Sequence, residues 1–303
     1  YEIWANHLAE LHRRSIPALL ICAAKHTKKS VNNNPFLRAF YKYAYNHFEE
    51  IYTAGSFHTE YFESLGLNSG ITTLADPRLD RIISKVEEAA VRPVLPKELF
   101  ADDRFVIVAG SCWQPDEDLI IEAIHNLKSE IIEFIRVIFV PHEPNFTNIK
   151  RLGKKVGNCI LLSELLEKIL SGASAESLSI LIENKHIIVD SIGKLLSIYG
   201  VADAAYIGGG FGTGLHCVTE PAAYGIPLSS GPDLSAQYDA VLLFEAGGFF
   251  PVKNSKEFTR WLREIILSDE MRSSIGDITR KYVEQSRGAS KELAQAIIRK
   301  IGD

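Results

Sequence analysis

The sequence predicts an α/β fold built on a parallel, doubly wound sheet, and three observations support it. Helical patterns, such as 116–127 and 192–199, separate most of a series of strand-length apolar segments. A glycine-rich loop over 208–214 follows one of these segments. Alternation of strands and helices at this spacing is typical of a parallel sheet covered by helices. The segments are 105–109, 137–141, 159–163, 186–190, 204–208 and 226–230.

The first hundred residues predict a shorter α/β series, with Ser56 as the N-cap of a helix that ends near Gly66. This region contains only about two strand–helix units, fewer than a well-covered doubly wound domain needs. We therefore expect N-terminal sequence to be missing. The predicted elements are helices at 1–14, 36–48 and 76–92, strands at 16–24 and 50–54, a linker at 93–96, and a helical tail at 255–301 that breaks at 287–288.

The composition predicts a soluble globular protein of one large or two ordinary domains. The chain has 303 residues, of which 46% are hydrophobic and 23% are charged. The net charge of -5 gives no overall positive charge that would attract nucleic acid. No apolar run reaches the roughly 18 residues of a membrane span, and no signal peptide is visible.

The four cysteines, Cys22, Cys112, Cys159 and Cys217, lie far apart and form no C-x-x-C pair. This spacing favours a reducing compartment over a disulfide framework or a zinc site. No carboxylate cluster suggests another metal, so we expect neither a metal nor a cofactor. The chain opens at Tyr1 and contains a single methionine, Met271, which also favours a fragment of a longer protein.

The glycine-rich loop predicts an anion-binding site at the carboxyl end of a strand. Strand, glycine loop, helix and strand in this order present backbone N–H groups to a ligand. The loop matches neither the dinucleotide fingerprint nor the phosphate-binding P-loop, because it lacks the later acidic residue of the first and the Gly-Lys-Ser/Thr of the second. Its candidate ligand-binding glycines are Gly210, Gly212 and Gly214.

His216 and Glu220 follow this loop and are four residues apart, which on a helix places both on one face. A carboxylate there can accept hydrogen bonds from a ribose diol, and an imidazole can donate to a phosphate oxygen. The alternative interpretation is a capped helix start with both side chains solvated.

Three further strand ends carry candidate residues. Ser111 could contact a phosphate or sugar, or lie in a simple turn in which Trp113 packs. His142 could donate to phosphate, although a single histidine in a turn is more often structural. At the third strand end, Ser191 fits an N-cap, and the backbone of Ile192 and Gly193 could pair with a base edge. Convergence of these loops on one crevice predicts a ligand site.

With these loops in place, the chain resembles the 3-deoxy-D-manno-octulosonic acid (Kdo) transferases of lipopolysaccharide assembly. The strongest match is I-x-V-D-S-I-G-x-L-x-x-x-Y-x-x-A-D-x-A-Y-I-G-G-G over 187–210. Residues 216–227 are similar to the family's H-N-x-x-E-x-x-x-x-G-x-P, and 2–6 to its E-[IL]-W-P-N. Weaker matches are Gly110-Ser111 and Pro141-His142.

The resemblance implies the GT-B architecture of two facing Rossmann-like domains, with the N-terminal one incomplete. It implies that residues 1–98 form the C-terminal part of the acceptor-side domain. Residues 99–303 would form the nucleotide-sugar domain, with the last helices packing back on the N-terminal part.

The resemblance also implies inverting transfer of Kdo from CMP-Kdo to a lipid A precursor. His216 or His142 would neutralise the phosphate with backbone dipoles, and Glu220 would hold the ribose. The family's base is a glutamate in an N-terminal glycine-rich loop that nothing here matches. Glu2, expected near the cleft, is a candidate substitute, so we expect this soluble fragment to be inactive. Its location would be the cytoplasmic face of the bacterial inner membrane, reached through the missing N-terminal part.

Departures from the family pattern leave alternatives open. Cys217 replaces an asparagine, Ala5 replaces a proline, and the loop at His142 lacks the family's arginine. Another GT-B enzyme that uses a UDP-sugar is one alternative. A non-catalytic nucleotide-binding module, in which the glycine loop only makes a turn, is the other.

Overall fold

A computed structural model of the chain describes residues 3–25, 34–100, 104–127, 134–183, 186–235 and 237–302. The chain divides into two compact units, residues 1–83 with 284–303, and residues 84–283. The sequence placed this division at 98. Each unit contains a parallel sheet with helices, so the predicted α/β class is confirmed.

The first unit contains a parallel sheet of order β1-β2-β3 within its described residues. β3 was not predicted, because its sequence GITTL is short and half polar, yet it pairs with β2 along its full length. Ser56 is not an N-cap, since Gly55 holds that position with a φ of +97°. The elements are α1 (Ala5–Arg13), β1 (Leu19–Ala23), α2 (Pro35–Tyr45), β2 (Glu50–Ala54), α3 (Ser56–Glu63), β3 (Gly70–Leu74) and α4 (Pro77–Val91), which runs across the division.

The second unit contains a parallel sheet whose order, within the described residues, is β10-β9-β8-β4-β5-β7-β6. All six predicted strands are present, and β10 is an addition. The elements before the glycine loop are β4 (Phe105–Cys112), α5 (Gln114–His125), β5 (Ile135–Pro141), α6 (Phe146–Val156), β6 (Cys159–Leu161), α7 (Leu162–Leu170), α8 (Ala175–Ile182), β7 (His186–Ile188), α9 (Leu195–Ile198) and β8 (Ala204–Ile207). Those after it are α10 (Thr219–Ala222), β9 (Leu228–Ser230), α11 (Tyr238–Glu245), β10 (Phe249–Pro251), α12 (Ser255–Leu267) and α13 (Asp269–Glu284).

The centre of this sheet is buried on both faces. Ile107 and Val108 of β4 and Val137 and Ile138 of β5 are all fully buried. Because alternate residues of a strand point to opposite faces, a run of apolar residues is what a strand covered by helices on both sides requires. The apolar sequence pattern of these strands therefore indicates that they lie at the centre of the sheet.

The helical tail breaks twice. α13 ends at Glu284, and the turn after it contains Gly288, with a φ of +83°, where the sequence predicted a break; Ser268 separates α12 from α13. The last helix, α14 (Ala289–Gly302), belongs to the first unit, where Leu293 packs with Tyr52 and Leu74. In the described parts of the chain, every helix is too short or too polar to cross a bilayer.

Candidate active site

The predicted ligand loops of β4, β5 and β8 meet at the carboxyl edge of the second sheet. The backbone N–H of His142 donates to the carbonyl oxygen of Cys112 at 2.9 Å, and the N–H of Gly208 donates to that of Gly110 at 2.9 Å. The strand order reverses beside β4, which has β5 on one side and β8 on the other. Open α/β sheets bind ligands at this kind of reversal, so the loops gather where a ligand is expected.

Three aromatic rings from these loops form a stack. His142 stacks on Trp113 with ring centroids 4.5 Å apart, and on His216 with centroids 4.4 Å apart. The indole Nε1–H of Trp113 lies 3.3 Å from Nε2 of His216, which accepts its hydrogen bond. With Nε2 as acceptor, the proton of a neutral His216 lies on Nδ1. The hydrogen bond from Trp113 therefore sets the tautomer of this imidazole, and the stack sets its plane.

His216 is a neutral hydrogen-bond donor at neutral pH. Burial lowers its pKa, and the neighbouring His142 lowers it further. The prediction that His216 shares a helix face with Glu220 is wrong, because α10 begins only at Thr219. His216 lies in the loop before that helix, and its position is set by the ring stack.

The first three glycines of the loop pack against neighbouring backbone. A Cβ at Gly208 would lie 2.2 Å from the carbonyl oxygen of Ser111, and one at Gly210 would lie 2.7 Å from Cα of Gly231. A Cβ at Gly209 would lie 2.2 Å from the carbonyl oxygen of Gly214. The close approach thus comes from the protein's own loops, which leave no room for any side chain here.

The tip of the loop, residues 211–214, is open. Gly212 and Gly214 have φ angles of +114° and +96°, and a Cβ at either would meet nothing within 4 Å. Within the described parts of the chain, no residue accepts a hydrogen bond from the N–H groups of these four residues. An anion could accept hydrogen bonds from these four N–H groups, so anion binding at this tip stays a prediction.

Asp116 fixes the base of the loop, and the sequence analysis missed it. Its carboxylate is buried and accepts from the backbone N–H of Trp113 at 2.9 Å, from that of Gly209 at 3.0 Å and from the hydroxyl of Tyr206 at 3.0 Å. Burial raises its pKa, although all three hydrogen bonds lower it. An acid three residues after a helix N-cap is the capping-box signal that could have identified it.

Glu220 stands in contrast to Asp116. Its side chain is half-buried on α10, and none of the described residues donates a hydrogen bond to its carboxylate. Burial raises its pKa, and the nearby ammonium group of Lys85 lowers it by less. A partly desolvated carboxylate without a donor is suited to receive hydroxyl groups from a ligand.

Ser111 lies directly under the loop in a left-handed conformation, with a φ of +52°. Such a conformation is costly for a serine and persists only where its surroundings enforce it. The backbone of Gly208, packed against its carbonyl oxygen, supplies that constraint. The hydroxyl has no hydrogen-bond partner among the described residues, and the residue is half-buried.

The loop after β7 carries Ser191, Ile192 and Gly193. Ser191 is not an N-cap, because its hydroxyl pairs with the ammonium group of Lys194 at 2.7 Å and α9 begins only at Leu195. Ile192 is 82% exposed, and Gly193 has a φ of +79° with open space around it. Across the described chain, no hydrogen bond or ring contact joins this loop to the stack.

Two further predictions concern the catalytic base and the expected absence of a metal. Glu2, the candidate base, lies outside the described residues. Among the residues that are described, no group of three or more His, Cys, Asp or Glu side chains could hold a metal ion.

A cavity of about 630 Å³ lies at the opposite edge of the second sheet, lined by Phe105, Asp203 and Arg272, away from the ring stack.

The sequence is similar to proteins of one family. A family profile described as "3-Deoxy-D-manno-octulosonic-acid transferase (kdotransferase)" matches residues 1–81. The chain is 23% identical over 308 residues to the 3-deoxy-D-manno-octulosonic acid transferase of Rickettsia bellii, covering 98% of this chain and 68% of that protein. It is 25% identical over 253 residues to that of Rickettsia prowazekii, covering 82% of this chain and 51% of that protein. For the Haemophilus influenzae protein the identity is 22%, with 96% and 66% covered.

Solved structures share the fold. The C-terminal CMP-Kdo binding domain of WaaA from Acinetobacter baumannii aligns with a TM-score of 0.51 at 15% identity, covering 67% of this chain and 98% of that one. A UDP-GlcNAc 2-epimerase from Neisseria meningitidis, bound to UDP-GlcNAc, aligns with a TM-score of 0.64 at 13% identity, covering 97% and 73%. At such low identity, these structural alignments show the fold alone. They confirm the predicted α/β fold of the GT-B type.

The relatives are longer than this chain, which spans between about half and two thirds of their length. Within that span the matches cover nearly the whole of the chain, and the profile match lies in a part that the glycine-loop motif does not include. Both halves of the sequence thus point the same way. On these grounds, the chain is similar to 3-deoxy-D-manno-octulosonic acid transferases along nearly its whole length, which supports the predicted resemblance to that family.

Proposed function

We propose that the second unit binds CMP-Kdo and that the protein transfers Kdo from this donor to a lipid A precursor. The observation that carries the proposal is the edge where β4, β5 and β8 end. There, the N–H groups of 211–214, which have no acceptor among the described residues, share one edge with the ring stack and with Glu220, a carboxylate to which no described residue donates. The A. baumannii domain that aligns with this chain is itself described as CMP-Kdo binding.

The phosphate of CMP would bind at the tip of the loop. Transfer forms a bond between the acceptor hydroxyl oxygen and the anomeric carbon of Kdo, and it breaks the bond from that carbon to the phosphate oxygen. The hydroxyl proton passes to a base and CMP leaves with the electron pair, so negative charge grows on the phosphate of CMP. The backbone N–H groups of 211–214, with Nδ1–H of His216 or the ring of His142, would stabilise that charge.

The rest of the donor would lie along the same edge. Glu220 would accept hydrogen bonds from the ribose hydroxyls, and Ser111 would contact the phosphate or the sugar. The exposed loop of Ser191, Ile192 and Gly193 would pair through its backbone with the cytosine edge.

Lipid A precursors are membrane lipids, so the proposed acceptor implies that the protein acts at a membrane. We propose the cytoplasmic face of the bacterial inner membrane as the location. We also propose that this chain alone binds the donor nucleotide without transferring Kdo, because nothing in its sequence matches the family's catalytic glutamate. Glu2 remains the candidate substitute. Incubation with CMP-Kdo and a lipid A precursor should therefore release no CMP, and turnover would refute the inactivity.

Calorimetric titration with CMP and UDP tests the donor assignment. We expect CMP to bind more tightly than UDP, and Glu220→Gln to weaken CMP binding by about tenfold to a hundredfold, because a charge-assisted hydrogen bond contributes about 1.5–3 kcal/mol. Glu122→Gln, an exposed acid on α5, is the matched control and should bind CMP like the parent protein.

The outcomes separate the alternatives. Tighter binding of UDP would favour a UDP-sugar enzyme. Absence of any nucleotide binding would contradict the donor assignment and both alternatives. Equal CMP binding by Glu220→Gln and Glu122→Gln would contradict the role given to Glu220.

A further inference from the structure

Tyr199 carries a hydroxyl group that the fold leaves without a partner. The residue follows α9 in a single 3-10 turn and is only 2% exposed. Its ring lies tilted against that of Tyr224, with the ring centroids 6.5 Å apart. Over the ranges that the structure describes, no group forms a hydrogen bond with this hydroxyl. Because burial of an unpaired hydroxyl destabilises a fold, such a group needs an explanation.

The hydroxyl of Tyr199 lies at the edge of the sheet where the donor nucleotide is proposed to bind. A Cβ at Gly110 would lie 2.1 Å from the hydroxyl oxygen, so the hydroxyl occupies space that a side chain near the end of β4 would need. Gly110 directly precedes Ser111, and its carbonyl oxygen accepts from the N–H of Gly208 at the base of the glycine loop. The phenol of Tyr199 therefore reaches the carboxyl edge of the second sheet.

The same hydroxyl lies within electrostatic reach of Glu220. The N–H of Ala223 donates to the carbonyl oxygen of Thr219, so the chain stays helical after Glu220 and brings Tyr224, four residues later, to the same face. The ring of Tyr199 lies against this Tyr224. Burial raises the pKa of Tyr199 well above its ordinary value of 10, and the charge of Glu220 raises it further. The phenol is thus protonated and can donate, whereas the carboxylate can only accept.

An unpartnered hydroxyl would not by itself indicate a ligand. Tyr61, in the core of the first unit, also has a buried hydroxyl without a partner in the described part of the chain. Tyr199 differs because it lies near a carboxylate to which no described residue donates, at the kind of edge where α/β sheets bind ligands. A donor and an acceptor that the fold does not use can both be satisfied by one ligand group that accepts and donates.

We propose that Tyr199 and Glu220 hold the same ribose hydroxyl of the bound nucleotide and thereby select ribose over deoxyribose. The ligand hydroxyl would donate to the carboxylate of Glu220 and accept from the phenolic O–H of Tyr199. In CMP only a ribose hydroxyl can do both at once, because the ionised phosphate and the ring atoms of the base only accept and the amino group only donates. The inference rests on the proposed function for its ligand and adds Tyr199 as a residue that determines specificity.

Calorimetric titration with CMP, 2′-deoxy-CMP and 3′-deoxy-CMP tests the inference on the parent chain and on Tyr199→Phe. The parent should bind CMP at least about tenfold more tightly than the analogue that lacks the shared hydroxyl, because both protein groups are then left unpaired. Tyr199→Phe should weaken CMP binding about threefold to tenfold, the range for a neutral hydrogen bond, and should leave binding of that analogue unchanged. Tyr61→Phe, the matched control, removes an unpartnered buried hydroxyl from the first unit and should bind all three nucleotides like the parent.

The double variant Tyr199→Phe, Glu220→Gln distinguishes one shared hydroxyl from two separate contacts. If both side chains hold the same hydroxyl, the double variant should weaken CMP binding by less than the product of the two single effects. Urea unfolding of the same proteins should show parent-like stability for Tyr199→Phe, since the hydroxyl that it removes has no partner in the free chain.

Equal weakening of CMP and both deoxy analogues by Tyr199→Phe would overturn the inference, because it would show a structural role for the phenol. Unchanged CMP binding by this variant would overturn it as well. Failure of the parent to bind CMP would refute the donor assignment together with this inference. CMP binding by the parent, with the same preference for CMP over both deoxy analogues in Tyr199→Phe, would refute this inference alone.

Discussion

Gly208 and Gly210, at the base of the glycine loop, lie against the backbone of neighbouring loops, whereas Gly212 and Gly214, at its tip, have open space around them. Two carboxylates near the loop differ in a similar way, one held by the protein and the other not. Asp116, under the base, has three hydrogen-bond donors, and Glu220, beside the loop, has none among the described residues. The base is thus held by the fold, whereas the N–H groups of the tip have no acceptor among the described residues. Changes at the base should therefore cost stability, and changes beside the tip should cost binding.

The largest loss of stability should follow Gly208→Ala. The new Cβ would lie 2.2 Å from the carbonyl oxygen of Ser111, and backbone atoms of β4 cannot rotate away as a side chain can. We expect destabilisation of about 3 kcal/mol, the upper range for an overpacked site. Urea unfolding measures it. A change below about 1 kcal/mol would mean that the loops are not in contact as described.

Asp116→Ala should have the next largest effect. It leaves the N–H groups of Trp113 and Gly209 and the hydroxyl of Tyr206 without their acceptor. Each buried group that loses its partner costs about 1–3 kcal/mol, and partial access of water should limit the total to about 2–3 kcal/mol. Asp118→Ala, which removes only an exposed ion pair with Lys155, is the control and should cost less than about 1 kcal/mol. Equal unfolding midpoints for the two variants would contradict the role of Asp116.

Gly212→Ala should have a smaller effect. No atom lies within 4 Å of the new Cβ, so the cost is only the backbone strain of a φ of +114°, about 1–2 kcal/mol. The same urea experiment compares it with Gly208→Ala. If the two variants lose the same stability, the distinction between base and tip fails.

Acidification should destabilise the protein through His216, with the smallest effect of the four. Its pKa is lowered in the folded state, so the unfolded chain takes up a proton first as pH falls. The stability contribution of neutral His216 is complete above the ordinary value of 6.5 and is lost as pH falls from there through the lowered pKa. The protonated ring also cannot accept the hydrogen bond of Trp113.

Unfolding midpoints between about pH 7.5 and about pH 5.5 measure this loss. His216→Gln should flatten the dependence in that window, and the control His125→Gln, an exposed histidine on α5, should not. A pH dependence that is unchanged by His216→Gln would contradict the assignment.

The sequence predicted the second sheet better than the first because its central strands are buried on both faces and read as continuous apolar runs. β3, with Gly70 and two threonines, has no such pattern, and its pairing with β2 identifies it. At the site, the sequence predicted that the loops after β4, β5 and β8 meet at one edge; that their residues bind a ligand stays a prediction. It could not predict the ring stack, because Trp113, His142 and His216 come from three loops whose contact depends on strand order.

The glycines show the limit of sequence reasoning at one position. The sequence predicts that a glycine such as Gly210 admits a ligand, but the atom that needs the space belongs to Gly231. A glycine indicates that another group lies close to the backbone, but it does not show whether that group is a ligand or part of the protein.

The return of α14 to the first unit has a consequence for biosynthesis. Leu293 packs with Tyr52 and Leu74, and Asp80 accepts from the N–H groups of Gly288 and Ser290, so the first unit needs residues from both ends of the chain. The 200 residues of 84–283 emerge from the ribosome in between. At about 5–20 residues per second, the N-terminal segment waits about 10–40 s for its last helix. During that interval the surface that α14 covers is open to chaperones, and the second unit can fold first.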